Sequence, residues 1–159
     1  MTTKRFVIAA WIGLAGAAAA AGCGSDARAP KTEAVAPADA AALLTDRNWI
    51  DHMPRRKDER LHVYRFVPSM GGGVYQDRTV FRGEFELFTY KVERDRLSIR
   101  WPNDDRTTRT TFRIDRVDGP DPFDLRLTLA DSPNGPRVYY GNSHEHDRTG
   151  AVLDALLAR

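Results

Sequence analysis

The sequence predicts a mainly β fold, an antiparallel eight-stranded meander closed into a barrel, with a helix at the C-terminal end. Three observations carry this. From residue 45 onward, short runs alternate bulky apolar and polar side chains, as a strand with one buried face must. The runs recur about every ten residues, and the Gly-, Pro-, Asp- and Asn-rich breaks between them are too short for crossover helices, so consecutive strands pair antiparallel. Residues Thr149–Ala158 then change period, with Val152, Leu153, Leu156 and Leu157 at helical spacing and Thr149 as the expected cap.

Taken in order, Pro37–Leu44 reads as one or two helical turns with Asp39 as a cap. Trp49 and Ile50 form the first short extended segment. Arg60–Val67 sets Leu61, Val63 and Val67 against His62, Tyr64 and Phe66, so both faces carry bulk. Pro68–Gly73 is a turn, and Val74–Arg82 is the next run, with a break expected around Gln76-Asp77. Gly83–Val92 opens with Phe85 and Leu87 on one face and shifts phase to Phe88, Tyr90 and Val92, which a β-bulge or sharp bend would produce. After the turn Glu93-Arg94-Asp95, Leu97, Ile99 and Trp101 alternate cleanly up to Pro102-Asn103-Asp104-Asp105. Thr110, Phe112 and Ile114 follow, with Val117 in another register, and Asp118-Gly119-Pro120-Asp121-Pro122 breaks the chain. Phe123, Leu125, Leu127 and Leu129 alternate with Asp124, Arg126 and Thr128, the clearest strand pattern present. Ser132–Pro136 turns it, Arg137–Gly141 closes the series, and the C-terminal helix is expected to cover an edge or one mouth.

The first thirty residues have a different logic. Lys4 and Arg5 precede an uncharged run, Phe6–Gly22, near the lower limit of the ~17–25 residues that span a bilayer and diluted by consecutive alanines. A basic start, a short apolar stretch and small residues before a cleavage point make a removable secretory signal. Ala20-Ala21-Gly22-Cys23 followed by Gly24-Ser25-Asp26 resembles the lipobox of bacterial lipoproteins, with Ala20 where that family most often has Leu. The resemblance implies a diacylglycerol on the Cys23 thiol, cleavage between Gly22 and Cys23, and a membrane as partner. One fatty chain anchors only marginally, and two or three, as this family carries, anchor stably. Cys23 is the sole cysteine, so no intramolecular disulfide competes for it. Gly24 in place of Asp favours the outer membrane over the inner under the sorting rule of that family. The expected division is residues 1–22 as signal, 23–43 as lipidated cysteine and flexible tether, and 44–159 as the barrel domain with its helix.

Removing residues 1–22 takes away Lys4 and Arg5 and no acid, which leaves 22 basic against 22 acidic residues. No bulk electrostatic case for nucleic acid survives that balance. The length left suits one domain.

Trp49, Tyr64-Arg65-Phe66, the glycines at 71–73, and Phe88-Thr89-Tyr90-Lys91-Val92 through Leu97-Ser98-Ile99 resemble the small lipocalin-like domains found on bacterial lipoproteins, with Arg47 where larger lipocalins place a Gly. The resemblance spans about residues 44–141 and implies a barrel without catalytic residues.

Chemistry-bearing motifs are few. His144-Glu145-His146-Asp147 offers two histidines that would share one side of a strand, weak zinc ligands that need His52, His62 or Asp147 to complete a set. The glycines at 71–73 lack the Gly-Lys-Ser/Thr of a phosphate loop. None of Ser69, Ser98, Ser132 or Ser143 sits in a nucleophile elbow, and Asp104-Asp105 suits a turn. No enzyme activity, metal or cofactor is expected. Phe85, Leu87, Leu97, Ile99, Trp101, Phe112, Ile114, Leu125, Leu127 and Leu129 are expected to point inward, where they either line a pocket for a small apolar ligand or fill an eight-stranded interior outright. The expectation is a non-enzymatic, lipid-anchored envelope protein that binds a small apolar ligand or an envelope protein, or else a filled barrel that works by its surface, with an apolar patch near Tyr139-Tyr140 or the turn aromatics.

Overall fold

Alternation of apolar and polar residues builds nine strands along residues 31–146 and 151–158, the parts of the chain that the computed structural model describes. In chain order they are β1 (Thr32–Ala34), β2 (Asn48–Ile50), β3 (Leu61–Val67), β4 (Gly72–Arg78), β5 (Gly83–Glu93), β6 (Arg96–Trp101), β7 (Arg106–Val117), β8 (Leu125–Leu129) and β9 (Val138–Gly141), with helices α1 (Pro37–Leu44) and α2 (Ala151–Leu157). From β2 to β9 each strand pairs antiparallel with the next, and β9 returns to β2 at Ile50↔Tyr140, so the predicted eight-stranded barrel closes.

β1 is an addition. It pairs with β7 from Thr32↔Val117 to Ala34↔Asp115, along the edge that β6 leaves at Arg96↔Thr111. The tether expected over residues 23–43 is therefore too long: Thr32–Leu44 is strand and helix. A small-residue strand needs no bulky side chains when a neighbour offers an open ladder, and Val35, Ala40, Leu43 and Leu44 give α1 enough apolar surface to dock. Pro37 occupies the first turn after the N-cap Ala36, and Asp39 lies inside that turn, where its charge suits the helix dipole.

Two apolar clusters divide the molecule. The larger one fills the barrel and includes Trp49, Tyr64, Phe66, Tyr75, Phe88, Trp101 and Tyr139, together with Ala40 and Leu44 of α1. The smaller lies outside the wall, where Leu153 and Leu157 of α2 pack with Ile50, Leu61, Val63 and Phe123. The C-terminal helix thus covers an outer face rather than an edge or mouth, and this is why β3 carries bulk on both faces.

β5 corrects another expectation. Phe88, Tyr90 and Val92 belong to the interior cluster, whereas Phe85 and Leu87 face outward with 61% and 59% exposure. No bulge intervenes, for the register runs unbroken from Arg78↔Gly83 to Gly73↔Phe88 against β4 and resumes at Thr89↔Arg100 against β6. One phase holds throughout; two exposed apolar residues imitated an inward pair. Likewise β4 neither breaks at Gln76-Asp77 nor reaches Arg82, and it takes Gly72 and Gly73 from the expected turn. Of the three glycines at 71–73, only Gly71, at φ 70°, has the left-handed backbone of a turn. Gly73 is required by packing: a Cβ there would stand 2.2 Å from the Arg65 carbonyl oxygen and 2.5 Å from the Phe88 ring.

Candidate functional site

The interior is where the sequence places its site, and eight of the named residues do meet there: Leu97, Ile99, Trp101, Phe112, Ile114, Leu125, Leu127 and Leu129 are all buried in one cluster. Phe85 and Leu87 do not join them. The centre of this cluster is aromatic, and apart from Trp101 and Phe112 its rings lie outside the expected set. Tyr64 lies 5.2 Å from Tyr139 and 6.0 Å from Phe88 by ring centroid, Phe66 5.4 Å from Phe88, and Phe88 5.2 Å from Trp101. These are the tilted and edge-to-face separations of packed rings. The parity of Trp49 signals this set, since Tyr64 pairs with Trp49, and Tyr75 with Tyr64, across successive strands of the same face.

Both ends of the barrel are closed. At one, α1 inserts Ala40 and Leu44, and the Trp49 Nε1–H donates to the Leu44 carbonyl at 2.9 Å. At the other, the β8–β9 loop folds inward around Asn134. Its carbonyl accepts from the hydroxyls of Tyr64 (3.1 Å), Tyr139 (3.1 Å) and Ser132 (2.6 Å), and its side-chain amide donates to Glu86 at 2.8 Å. Arg106 donates to the Asn134 side-chain oxygen at 3.3 Å and lies 5.1 Å over the Trp101 ring. Burial raises the pKa of Tyr64 and Tyr139 well above the ordinary phenol range, so both stay neutral donors.

Beside this loop is an open cleft of about 490 Å³ lined by His62, Tyr75, Asp77, Glu84, Glu86 and Asn134. His62 Nδ1 and the Tyr75 hydroxyl are 2.7 Å apart, Asp77 approaches His62 at 3.9 Å, and Arg60 holds Asp77 through two hydrogen bonds. Tyr75 is pushed above its ordinary pKa, first by burial and then by Asp77 and other acids. That is the reverse of what an activated phenolate needs. The cleft can exchange hydrogen bonds and attract cations.

The weak metal candidates are not brought together. His144 and His146 are exposed after β9, Asp147 lies outside the described residues, His52 sits against Asp51 and Glu59, and His62 is at the cleft. Among the described residues no three His, Cys, Asp or Glu side chains form a metal-sized group. Tyr139 is interior and Tyr140 half-buried against Phe123 at 6.2 Å, so neither makes the expected surface patch. Among the described residues the large exposed apolar side chains are Met70, Phe81, Phe85, Leu87 and Val152. Cys23 lies outside the described residues, and among those described no helix is long and apolar enough to cross a membrane. Comparison with known proteins finds no matching family model, curated protein or solved structure.

Proposed function

We propose that the chain is a non-enzymatic envelope lipoprotein, held at a membrane by a lipid on Cys23, whose solid barrel recognises an envelope partner through its outer surface. The observation that carries this reading is the filled interior: rings from five different strands occupy the space a carrier would leave for cargo, and both ends are shut. With the inside committed to packing, recognition falls to the wall. There Phe81, Phe85 and Leu87, at 72%, 61% and 59% exposure, mark the β4–β5 hairpin as the apolar contact surface. The lipobox supplies the anchor, and Gly24 after the cysteine favours the outer membrane.

Mass spectrometry of the protein isolated from its host membranes tests the two halves separately. Expected is a mature chain that begins at an acylated Cys23 and carries no co-purifying small molecule. An unmodified cysteine would overturn the anchor, and a stoichiometric apolar ligand would replace the surface reading with a carrier. A photo-crosslinker at Phe85 should capture one envelope partner, and Leu87→Glu should abolish that product without shifting the melting temperature.

A further inference from the structure

A second cleft, of about 610 Å³, opens on the outer wall, lined by Lys91, Glu93, Arg96, Ser98, Arg109 and Thr111 among others. The strand register dictates its chemistry. Lys91 stands opposite Ser98 and Ser98 opposite Arg109, so one row across β5, β6 and β7 reads cation, hydroxyl, cation. The adjoining row is Glu93, Arg96 and Thr111. Directly opposite residues have Cβ atoms about 4.5–5.5 Å apart, so Lys91 and Arg109 flank Ser98 on one face, each long enough to reach a group seated over it.

These cations share one cleft and have no ion pair of their own among the described residues. Several other arginines are matched: Arg60 with Asp77, Arg78 with Asp154, Arg100 with Asp105, Arg106 with Asp104, Arg113 and Arg126 with Asp115, and Arg137 with Asp131, while Arg55, Arg82, Arg94 and Arg116 stand singly on the surface without an ion pair among the described residues. Among the described residues Lys91, Arg96 and Arg109 have no carboxylate within ion-pair distance. Of the two acids at the cleft, Asp131 is engaged by Arg137 at 3.5 Å, and Glu93 faces Arg96 one row away. The hydroxyls differ in the same way. Thr110 is occupied, donating to the Thr111 carbonyl and accepting from the Asp131 N–H, while Ser98 and Thr111 have no hydrogen-bond partner among the described residues. An anion seated over Ser98 would accept from both cations and from the free hydroxyl at once.

We infer that the Lys91–Ser98–Arg109 row is a binding site for a phosphate group, with the ammonium and guanidinium on its oxygens and the Ser98 hydroxyl donating between them. A phosphate ester free in solution and an anionic lipid headgroup present the same atoms. The headgroup source rests on the lipid-anchor reading: nine residues from Cys23 to Thr32 extend at most about 30 Å, and β1 delivers them to β7 of the same wall.

The full chain carrying Cys23→Ser tests the groove without its lipid. In low salt it should co-sediment with phosphatidylglycerol vesicles and not with phosphatidylcholine vesicles, whose phosphate is offset by an ammonium. Lys91→Gln with Arg109→Gln should weaken this about thirty-fold, roughly fivefold per cation, and raised salt should do the same. Lys91→Arg should retain binding, and circular dichroism should find all these outward-facing variants folded. Inorganic phosphate, followed by shifts of the Ser98 amide resonance, separates the sources. Saturation by phosphate without a preference among vesicles would assign the groove to soluble esters, and the acylation state of Cys23 bears on neither result. Equal binding of both probes by the double variant, or no binding of either by the parent chain, would overturn the site.

Discussion

Single residues decide how tightly the barrel fills. Gly73 is the sharpest case, because any side chain there meets the Arg65 carbonyl and the Phe88 ring. Gly73→Ala should cost about 1–3 kcal/mol by overpacking, read as a lower urea midpoint at unchanged slope. An unchanged midpoint would mean that Phe88 moves aside freely. A glycine run in sequence reads as a turn, and only the structure separates Gly71, which turns, from Gly73, which makes room for a ring. Asp77 contributes to the acid response. The hydrogen bond from Arg60 is the main cause that lowers its pKa below the ordinary 3.8, with burial opposing. The folded pKa lies below the unfolded one, so the stabilisation is present above the unfolded value and lost as pH falls through the folded value, below about pH 4. Arg60 is 65% exposed, and solvent screening holds the contribution to about 1 kcal/mol or less. Asp77→Asn should therefore be slightly less stable than the parent at pH 7 and equal to it near pH 2, in parallel thermal melts. A difference that persists at pH 2 would assign the effect to packing.

At the scale of elements, the two helices do different work. α1 closes the barrel from within its own cluster, and α2 shields the outer wall with Leu153 and Leu157 on Ile50, Leu61 and Val63. Leu153→Ala should destabilise by about 2–5 kcal/mol, whereas Val152→Ala, 46% exposed on the same helix, should fall within about 0.5 kcal/mol. Equal effects would mean that α2 does not dock by this face. The strands themselves were legible, since β6 and β8 alternate in one register with one face inward. What could not be read was where a second layer lies. The bulk on both sides of β3 needed α2 to explain it, and Phe85 and Leu87 follow a periodicity that does not say which face of β5 is the inside. The cleft on the outer wall was hidden for a related reason. Lys91, Ser98 and Arg109 are remote in sequence, and only the registers of β5 with β6 and of β6 with β7 bring them into a row.

For the whole molecule the question is where a closed barrel opens first. β3 and β4 pair over their full lengths from Leu61↔Arg78 to Val67↔Gly72, but the closing seam between β2 and β9 rests on one register pair, Ile50↔Tyr140. Side chains hold that seam more than its ladder does. Inside, a Cβ on Gly141 would lie 3.0 Å from the Trp49 ring, so this glycine lets β9 lie flat on the tryptophan. Outside, Ile50 and Tyr140 belong to the cluster that α2 covers. Further along, Arg47 donates to the Asn142 carbonyl at 2.7 Å, and Asn48 bonds Glu145 through its backbone and side-chain amides. Local opening follows the fewest ladder bonds and the most dispensable cover, so the β2–β9 seam should exchange its amide hydrogens faster than β3, β4 and the β6–β7 pair. Leu153→Ala, by loosening α2, should accelerate exchange at Ile50 and Tyr140 while the β6–β7 amides keep their protection. Uniform loss of protection in that variant would mean that the barrel opens only as a unit, with the seam no weaker than the rest. Protection at Tyr140 equal to that at Tyr64 in the parent chain would refute the weak seam directly.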